Sequence, residues 1–246
     1  MKKSVAEIAR EASTMTDMDA FWALVHGQME LRGVSSLLFG VVPSKRELEH
    51  RRMSQSLIWK SSHKKEFFDA FDVDALFDDD RTAEHCIHQA GVMLWHEASN
   101  WEDATPEQRR RADIERDLEL AVGFSVPSAH FSPGHVGGIG AAMPGVPLRE
   151  FERLWSQEGR DLVTLCGILD LGMRGEHMGT LVNLSKREAE CLTLLAVGLR
   201  ADRIADKLSV SDKAVEKYVA NARRKLKATT RDHAVAKAIM LGLITP

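Results

Sequence analysis

Apolar positions recur along the chain with two periods, and the changes of period mark the elements. Phe21, Leu24, Val25 and Met29 fall at helical spacing within residues 16–31, with Thr16 as cap and Gly33 as stop. The apolar stretch 34–42 then predicts a buried strand. Pro43, Ser44 and Glu47 have capping-box spacing and predict a helix over 45–59. Phe67, Phe68 and Phe71 give residues 63–71 an aromatic helical face, and 81–97 predicts a short helix leading into the strand-like run Val92, Met93, Leu94, Trp95. Thr105, Pro106 and Gln108 supply the cap, first-turn proline and third-position partner of an amphipathic surface helix ending before Gly123, with Ile114, Leu118 and Ala121 inward. Segments 124–130 and 136–143 read as a hairpin around a turn at Ser132, Pro133 and Gly134. Leu148, Phe151, Leu154, Trp155, Leu162, Leu165, Ile168 and Leu169 define one long helix, and residues 172–180 read as a flexible connection.

A different texture follows. Ser185 and Glu188 repeat the capping-box spacing before a face of Ala189, Leu192, Leu195 and Ala196 that Gly198 stops. Ile204, Ala205 and Leu208 make a second short helix. Ser211 caps a third, in which Ala214, Val215, Tyr218, Val219, Ala222 and Leu226 turn inward and Lys213, Lys217, Asn221, Arg224 and Lys225 outward. A fourth helix over 231–241 closes the core with Ala234, Val235, Ala238, Ile239 and Leu241.

The expected fold class is therefore α+β. An N-terminal α/β/α sandwich over residues 1–171 joins, through a linker at 172–183, a C-terminal four-helix helix-turn-helix domain over 184–246. Strand order cannot be read from this pattern. The sheet can enclose a ligand pocket or form a solid core.

Charge separates the same two parts. From Leu184 onward 13 Lys or Arg face 7 Asp or Glu, whereas 20 basic residues face 29 acidic ones before it. A cationic tail on an acidic body suggests that only the tail meets a polyanion. Lysine and arginine can bind phosphate and guanine edges, and asparagine can pair with adenine, so the third helix is the natural reader of a major groove.

Composition narrows the class. With 44% hydrophobic and 28% charged residues among 246, the chain supports a core and is not a disordered or fibrous one. Three cysteines, at 86, 166 and 191, form no disulfide framework or CxxC metal site, which fits a reducing compartment. The start, MKKSVAEIAREAST, turns polar before an apolar run develops, so neither a signal peptide nor a membrane span is expected, and the expected location is the cytoplasm.

Alternative chemistries fail on spacing. The Asp72, Asp74, Asp78, Asp79, Asp80 turn lacks the glycine of a calcium loop, and Ala83 occupies its twelfth position. Trp95-His96-Glu97 has no second histidine at HExxH spacing, His130 and His135 have no third ligand, and Ser125 and Ser128 have no assignable base. Residues 134–140 do not open a helix as a GxGxxG unit must. No catalytic residue, metal site or cofactor is expected. A small-molecule enzyme fused to a basic interaction module is the contrasting alternative.

The segment LSKREAECLTLLAVGLRADRIADKLSVSDKAVEKYVANARRKL, followed by AVAKAIMLGLI, resembles the helix-turn-helix domain of the LuxR family of transcriptional regulators over residues 184–244. Glu188, Leu195, Ala196, Gly198, Ile204, Ala205, Leu208, Ser211, Val215, Lys225, Leu226, Ala234 and Gly242 fall at the family's capping and packing positions. The resemblance implies double-stranded DNA as partner, a homodimer reading two half-sites, contact with the transcription machinery and no membrane. It also places Glu216, Lys217 and Ala220 toward the groove, where the acid can accept from cytosine and the alanine can touch a thymine methyl. The expected DNA-contact set is Lys213, Glu216, Lys217, Ala220, Asn221 and Arg224.

Residues 16–170 resemble, more distantly, the quorum-sensing branch of that family, whose N-terminal domains bind N-acyl-homoserine lactones between a sheet and helices. Asp80 and Trp95 have the spacing of the branch's amide-contacting carboxylate and lactone-contacting indole, and Phe67 and Phe71 fall where it usually has Trp and Tyr. Gly123 fits the branch's position before a sheet segment. The resemblance thus implies a ligand site of Phe67, Phe71, Asp80 and Trp95, with an acyl-homoserine lactone as ligand. Two departures bear on it: Phe71 has no hydroxyl for an acyl carbonyl, and Arg81 replaces the proline that usually follows the Asp. A regulator answering another ligand, or none, stays open. The 148–171 helix is a candidate dimer surface or an internal packing element.

Overall fold

The computed structural model describes residues 1–132 and 134–246. Pro133, one of the three residues of the expected turn, lies outside the described residues. The chain divides into two compact units, 1–172 and 173–246.

The first unit begins with α1 (Val5–Ala12) and α2 (Met18–Glu30), followed by β1 (Ser36–Val42), α3 (Lys45–Leu48), α4 (Met53–Ser56) and β2 (Ile58–Ser61). Next come α5 (Lys65–Asp69), α6 (Arg81–His88), β3 (Met93–Leu94), α7 (Pro106–Asp117), β4 (Gly123–Pro127), β5 (Val136–Ala142) and α8 (Leu148–Arg174). The strands form one antiparallel sheet in the order β2-β1-β5-β4-β3. Successive residues of a strand point to opposite faces. On β4, Phe124 meets Trp155 of α8 at 4.8 Å between ring centroids, while the next residue, Ser125, accepts from Trp95. Helix α6 packs on β4 and β5, and an added Cβ at Gly138 would lie 2.7 Å from Cys86 Sγ of that helix. The sheet is therefore covered on both faces, by α8 on one side and by α6 on the other.

Several boundaries follow local chemistry. Thr105 and Gln108 close a capping box at α7, and Asp17, rather than Thr16, caps α2 by accepting from Ala20 N at 2.7 Å. Helix α1, not anticipated, has its own capping box in Ser4 and Glu7. The expected helix over 45–59 is corrected. It breaks into the one-turn α3 and α4, and residues 58–61 pair with β1 instead, Val41 opposite Ile58 and Leu38 opposite Ser61. Cross-strand pairing overrides the local helix-start signal there. A second correction concerns α7, whose buried positions are Gln108 and Arg111, whereas Ile114 is 38% exposed.

The second unit contains α9 (Met178–Val182), α10 (Lys186–Ala196), α11 (Ala201–Leu208), α12 (Asp212–Lys225) and α13 (Arg231–Met240). The stretch expected to be a flexible connection is largely helical, with α8 continuing to Arg174 and α9 burying Met178 and Val182. Cys191, Ile204, Ala205 and Val215 form the core of the helix-turn-helix, with Tyr218 and Val219 packed at its edge. Ile239, expected in the core, is 43% exposed, and Ala234, Ala238 and Leu241 close the α13 face.

Candidate ligand cavity and nucleic-acid interface

Between β1, β4 and β5 on one side and α5, α6 and α7 on the other lies a cavity of about 60 Å³. Its apolar end is made by Leu38, Met53, Leu57, Phe67 and Ile87, and its polar end by Asp80, Thr82, Trp95, Glu115 and Ser125. Glycines make the sheet wall. At Gly137, where φ is +118°, an added Cβ would lie 2.1 Å from Gly40 O, so no other residue lets β5 approach β1 this closely. At Gly123 it would lie 2.6 Å from the Trp95 ring, so this glycine lets the indole lie against β4.

Asp80 caps α6. Its Oδ1 accepts from Thr82 N (2.9 Å), Thr82 Oγ1 (2.9 Å) and Ala83 N (3.0 Å). Its Oδ2 lies 3.2 Å from Arg111 Nη2, close enough for an ion pair but without hydrogen-bond alignment. The same guanidinium donates from Nε to Glu115 Oε1 at 2.9 Å, reaches the Leu76 carbonyl, and lies 4.4 Å over the Phe71 ring. Asp80 and Arg111 are both buried. Burial pushes the Glu115 carboxyl up to about 7 against the opposing pull of Arg111. Burial likewise pushes His63, at the apolar end, down to about 4, and its Nδ1 lies 3.0 Å from Ser36 Oγ and 2.9 Å from Ser61 Oγ. Trp95 donates its indole N–H to Ser125 Oγ at 2.8 Å.

Three of the four residues expected at a ligand site, Phe67, Asp80 and Trp95, line this one cavity. Phe71 stands behind it, between Phe67 (5.1 Å between centroids) and Arg111. The polar groups that resemblance left out are Arg111, Glu115, His63, Thr82 and Ser125. The charges on α7 read in sequence as a solvated face, and only the three-residue and four-residue spacing of Gln108, Arg111 and Glu115 marked them as one stripe. Among the described residues no group of three or more His, Cys, Asp or Glu is placed to hold a metal ion. No helix among them is long and apolar enough to cross a membrane.

In the second unit Ser211 caps α12 through Ala214 N at 3.2 Å. Val215, Ala222 and Leu226 turn inward. Lys213, Glu216, Lys217, Ala220 and Arg224 are exposed and Asn221 is half-buried, so the six expected contact residues share one outward face of a single helix. Lys225 has another role. It donates to Glu188 Oε2 at 2.8 Å, and that oxygen also accepts from Ser185 N. Burial raises the Glu188 carboxyl, but Lys225 and the Ser185 contacts outweigh it and hold the group below its ordinary value. The α10 capping box is thereby tied to the far end of α12.

A sheet domain with a partly polar cavity, joined to a helix-turn-helix unit with a cationic outer face, is the architecture of a ligand-sensing bacterial regulator. The family model for the autoinducer binding domain matches residues 17–171, and that for bacterial regulatory proteins of the luxR family matches 182–238. The chain belongs to the LuxR family, in its quorum-sensing branch with an autoinducer-binding domain. It is 48% identical over 59 residues to the transcriptional activator protein RaiR of Rhizobium etli, a match covering 24% of each chain. It is 27% identical over 169 residues to the transcriptional activator protein BjaR1 of Bradyrhizobium diazoefficiens, covering 65% of each. The chain thus spans about a quarter of one curated relative and just under two thirds of the other. Solved structures of SdiA, one of them a crystal structure of the Escherichia coli protein, share the fold. One gives a TM-score of 0.55 at 15% identity over 98% of both chains, and that of the complex with octanoyl-rac-glycerol gives 0.51 at 18% over 97% of this chain and 94% of that one. The family is one of regulators rather than enzymes, in agreement with the lack of a catalytic pattern in the sequence.

Proposed function

We propose that the protein is a cytoplasmic, dimeric transcription regulator that reads two DNA half-sites through α12 and is controlled by an N-acyl-homoserine lactone bound in the cavity of its first unit. The carrying observation is the convergence of Phe67, Asp80 and Trp95 on one cavity in a chain that also presents an exposed cationic helix face. In this reading the acyl chain lies along Leu38, Met53, Leu57 and Ile87, and the head meets Asp80, Trp95 and Ser125. The cavity is well below the several hundred Å³ usual for a ligand of this size, so binding separates apolar side chains that otherwise pack together. Ligand occupancy is thereby coupled to the stability of the sensor and shifts the population competent for DNA.

One observation favours a second ligand class. Asp80 Oδ1 already has three donors and Oδ2 faces Arg111, so the carboxylate offers little to an amide N–H. An acyl ester has no such N–H to satisfy, and the SdiA complex named above contains an acylglycerol.

Native mass spectrometry of the full chain, expressed with and without a series of acyl-homoserine lactones and with 1-octanoylglycerol as the contrasting arm, tests both. A retained lactone with a dimer mass supports the main reading, and retention of the acylglycerol alone replaces it with the second. If neither ligand is retained or raises the melting temperature, acyl-ligand sensing is wrong. Selection against a genomic fragment library tests the DNA half, and equal binding to all duplexes counts against an operator reader.

A further inference from the structure

A second cleft, of about 580 Å³, lies against α7 and the start of α8, and four of its lining residues, Thr82, Trp95, Glu115 and Leu120, also line the first cavity. These side chains are common to the two spaces. Three of them, Thr82, Trp95 and Glu115, belong to the cavity's polar end, where Asp80 and Ser125 stand, so the cleft adjoins the place of a ligand's head.

Resting on the reading of the cavity as an acyl-ligand site, we propose that the cleft is a head-group subsite, so that the sensor accepts acyl ligands whose neutral, hydroxylated head is larger than a lactone ring. The walls favour that class. Trp101 supplies an aromatic ring held in place by its N–H bond to the Trp95 carbonyl at 2.7 Å, a surface suited to stacking against a polyol or sugar. The cations on the cleft are already engaged: Arg116 pairs with Asp113 at 2.6 Å, and Arg109 donates to the Trp101, Glu102 and Ala104 carbonyls. No spare counter-charge is offered to an ionised head, whereas donors and acceptors for hydroxyls are plentiful. Leu148 and Ala112 form apolar lips over which a head group would fold.

The test uses the full-length protein and two probes with the same tail, N-octanoyl-homoserine lactone and N-octanoylglucosamine, with affinities from isothermal titration calorimetry. Wild type is expected to bind both. Leu148→Trp, at a position 41% exposed and therefore tolerant of bulk, should weaken the glucosamine probe by about tenfold and leave the lactone probe within about twofold. Ala112→Trp, on the α7 lip, should do the same, and the circular dichroism spectrum of each variant establishes that it is folded. Binding of the lactone probe alone by wild type overturns the subsite while leaving lactone sensing intact. Equal weakening of both probes in a folded variant, or no weakening in either variant, also overturns it. If wild type binds neither probe, the acyl-ligand reading falls and the subsite with it.

Discussion

Arg111 and Asp80 form a buried ion pair, 3.2 Å from Nη2 to Oδ2, between a helix and the capping position of another helix far from it in sequence. Removing one member of a buried pair leaves the other uncompensated, at about 3–5 kcal/mol. Arg111→Met should therefore lower stability by an amount of that order in urea denaturation. Asparagine caps helices as well as aspartate does, so Asp80→Asn removes the charge and keeps the cap. The double variant should recover more than half of the loss. A double variant no more stable than Arg111→Met would mean that the pair is energetically idle.

Glu115 and His63 impose opposite pH dependences, with Arg111 and Asp80 as the charged groups around them. Glu115 titrates near 4.5 unfolded and about 7 folded, so the native state holds the extra proton between those values and stability falls as pH rises through that window. His63 titrates near 6.5 unfolded and about 4 folded, so the native state lacks the proton and stability rises over that window. The two effects oppose each other between pH 4.5 and 6.5, and Glu115 acts alone from there to about 7. Glu115→Gln should gain on wild type as pH goes from 5 to 8, by on the order of 1–3 kcal/mol in urea midpoints converted to free energy. A constant difference across that range would place Glu115 outside the buried cluster.

The bond from Lys225 Nζ to Glu188 Oε2 spans the second unit and meets a carboxylate whose side chain is 4% exposed. Lys225→Met should destabilise that unit by about 2 kcal/mol, since the acid keeps its capping bonds but loses its counter-charge. Because the chain has two units, the measurement is hydrogen exchange of the α10 and α12 amides rather than a single melting curve. Faster exchange confined to α7 and α8 would contradict it.

How far the sequence discloses all this depends on the range over which each signal acts. The capping boxes at Thr105 and Ser185 and the apolar stripe of α12 are complete within a few residues, and the structure has them where the spacing puts them. Strand β2 was hidden because Ile58–Ser61 becomes a strand only through its pairing with β1, while Ser44 and Glu47 start a helix just upstream. Arg111 was hidden for the same reason. A guanidinium among other charges on a helix looks solvated until Asp80 and Phe71 are brought to it by the fold. Phe67, Asp80 and Trp95 were picked out by family spacing alone, which carries no information on Glu115 or Ser125, the groups that set the polarity around them.

Lys217 offers the cleanest separation of recognition from folding. It is exposed, has no resolved ion pair among the described residues, and lies on the outward face of α12 between Lys213 and Arg224. Its replacement by alanine removes one cation and costs the helix nothing in propensity. Lys217→Ala should leave the circular dichroism spectrum and melting temperature unchanged while weakening binding to a selected duplex. If it contacts phosphate, the loss is similar on all sequences, and the slope of log K against log salt becomes shallower by about 0.9. If it contacts a guanine edge, the selected duplex loses about 1–3 kcal/mol more than an unrelated one. Fluorescence anisotropy titrations at several salt concentrations distinguish the two, and an unchanged affinity at every salt concentration would remove Lys217 from the DNA interface.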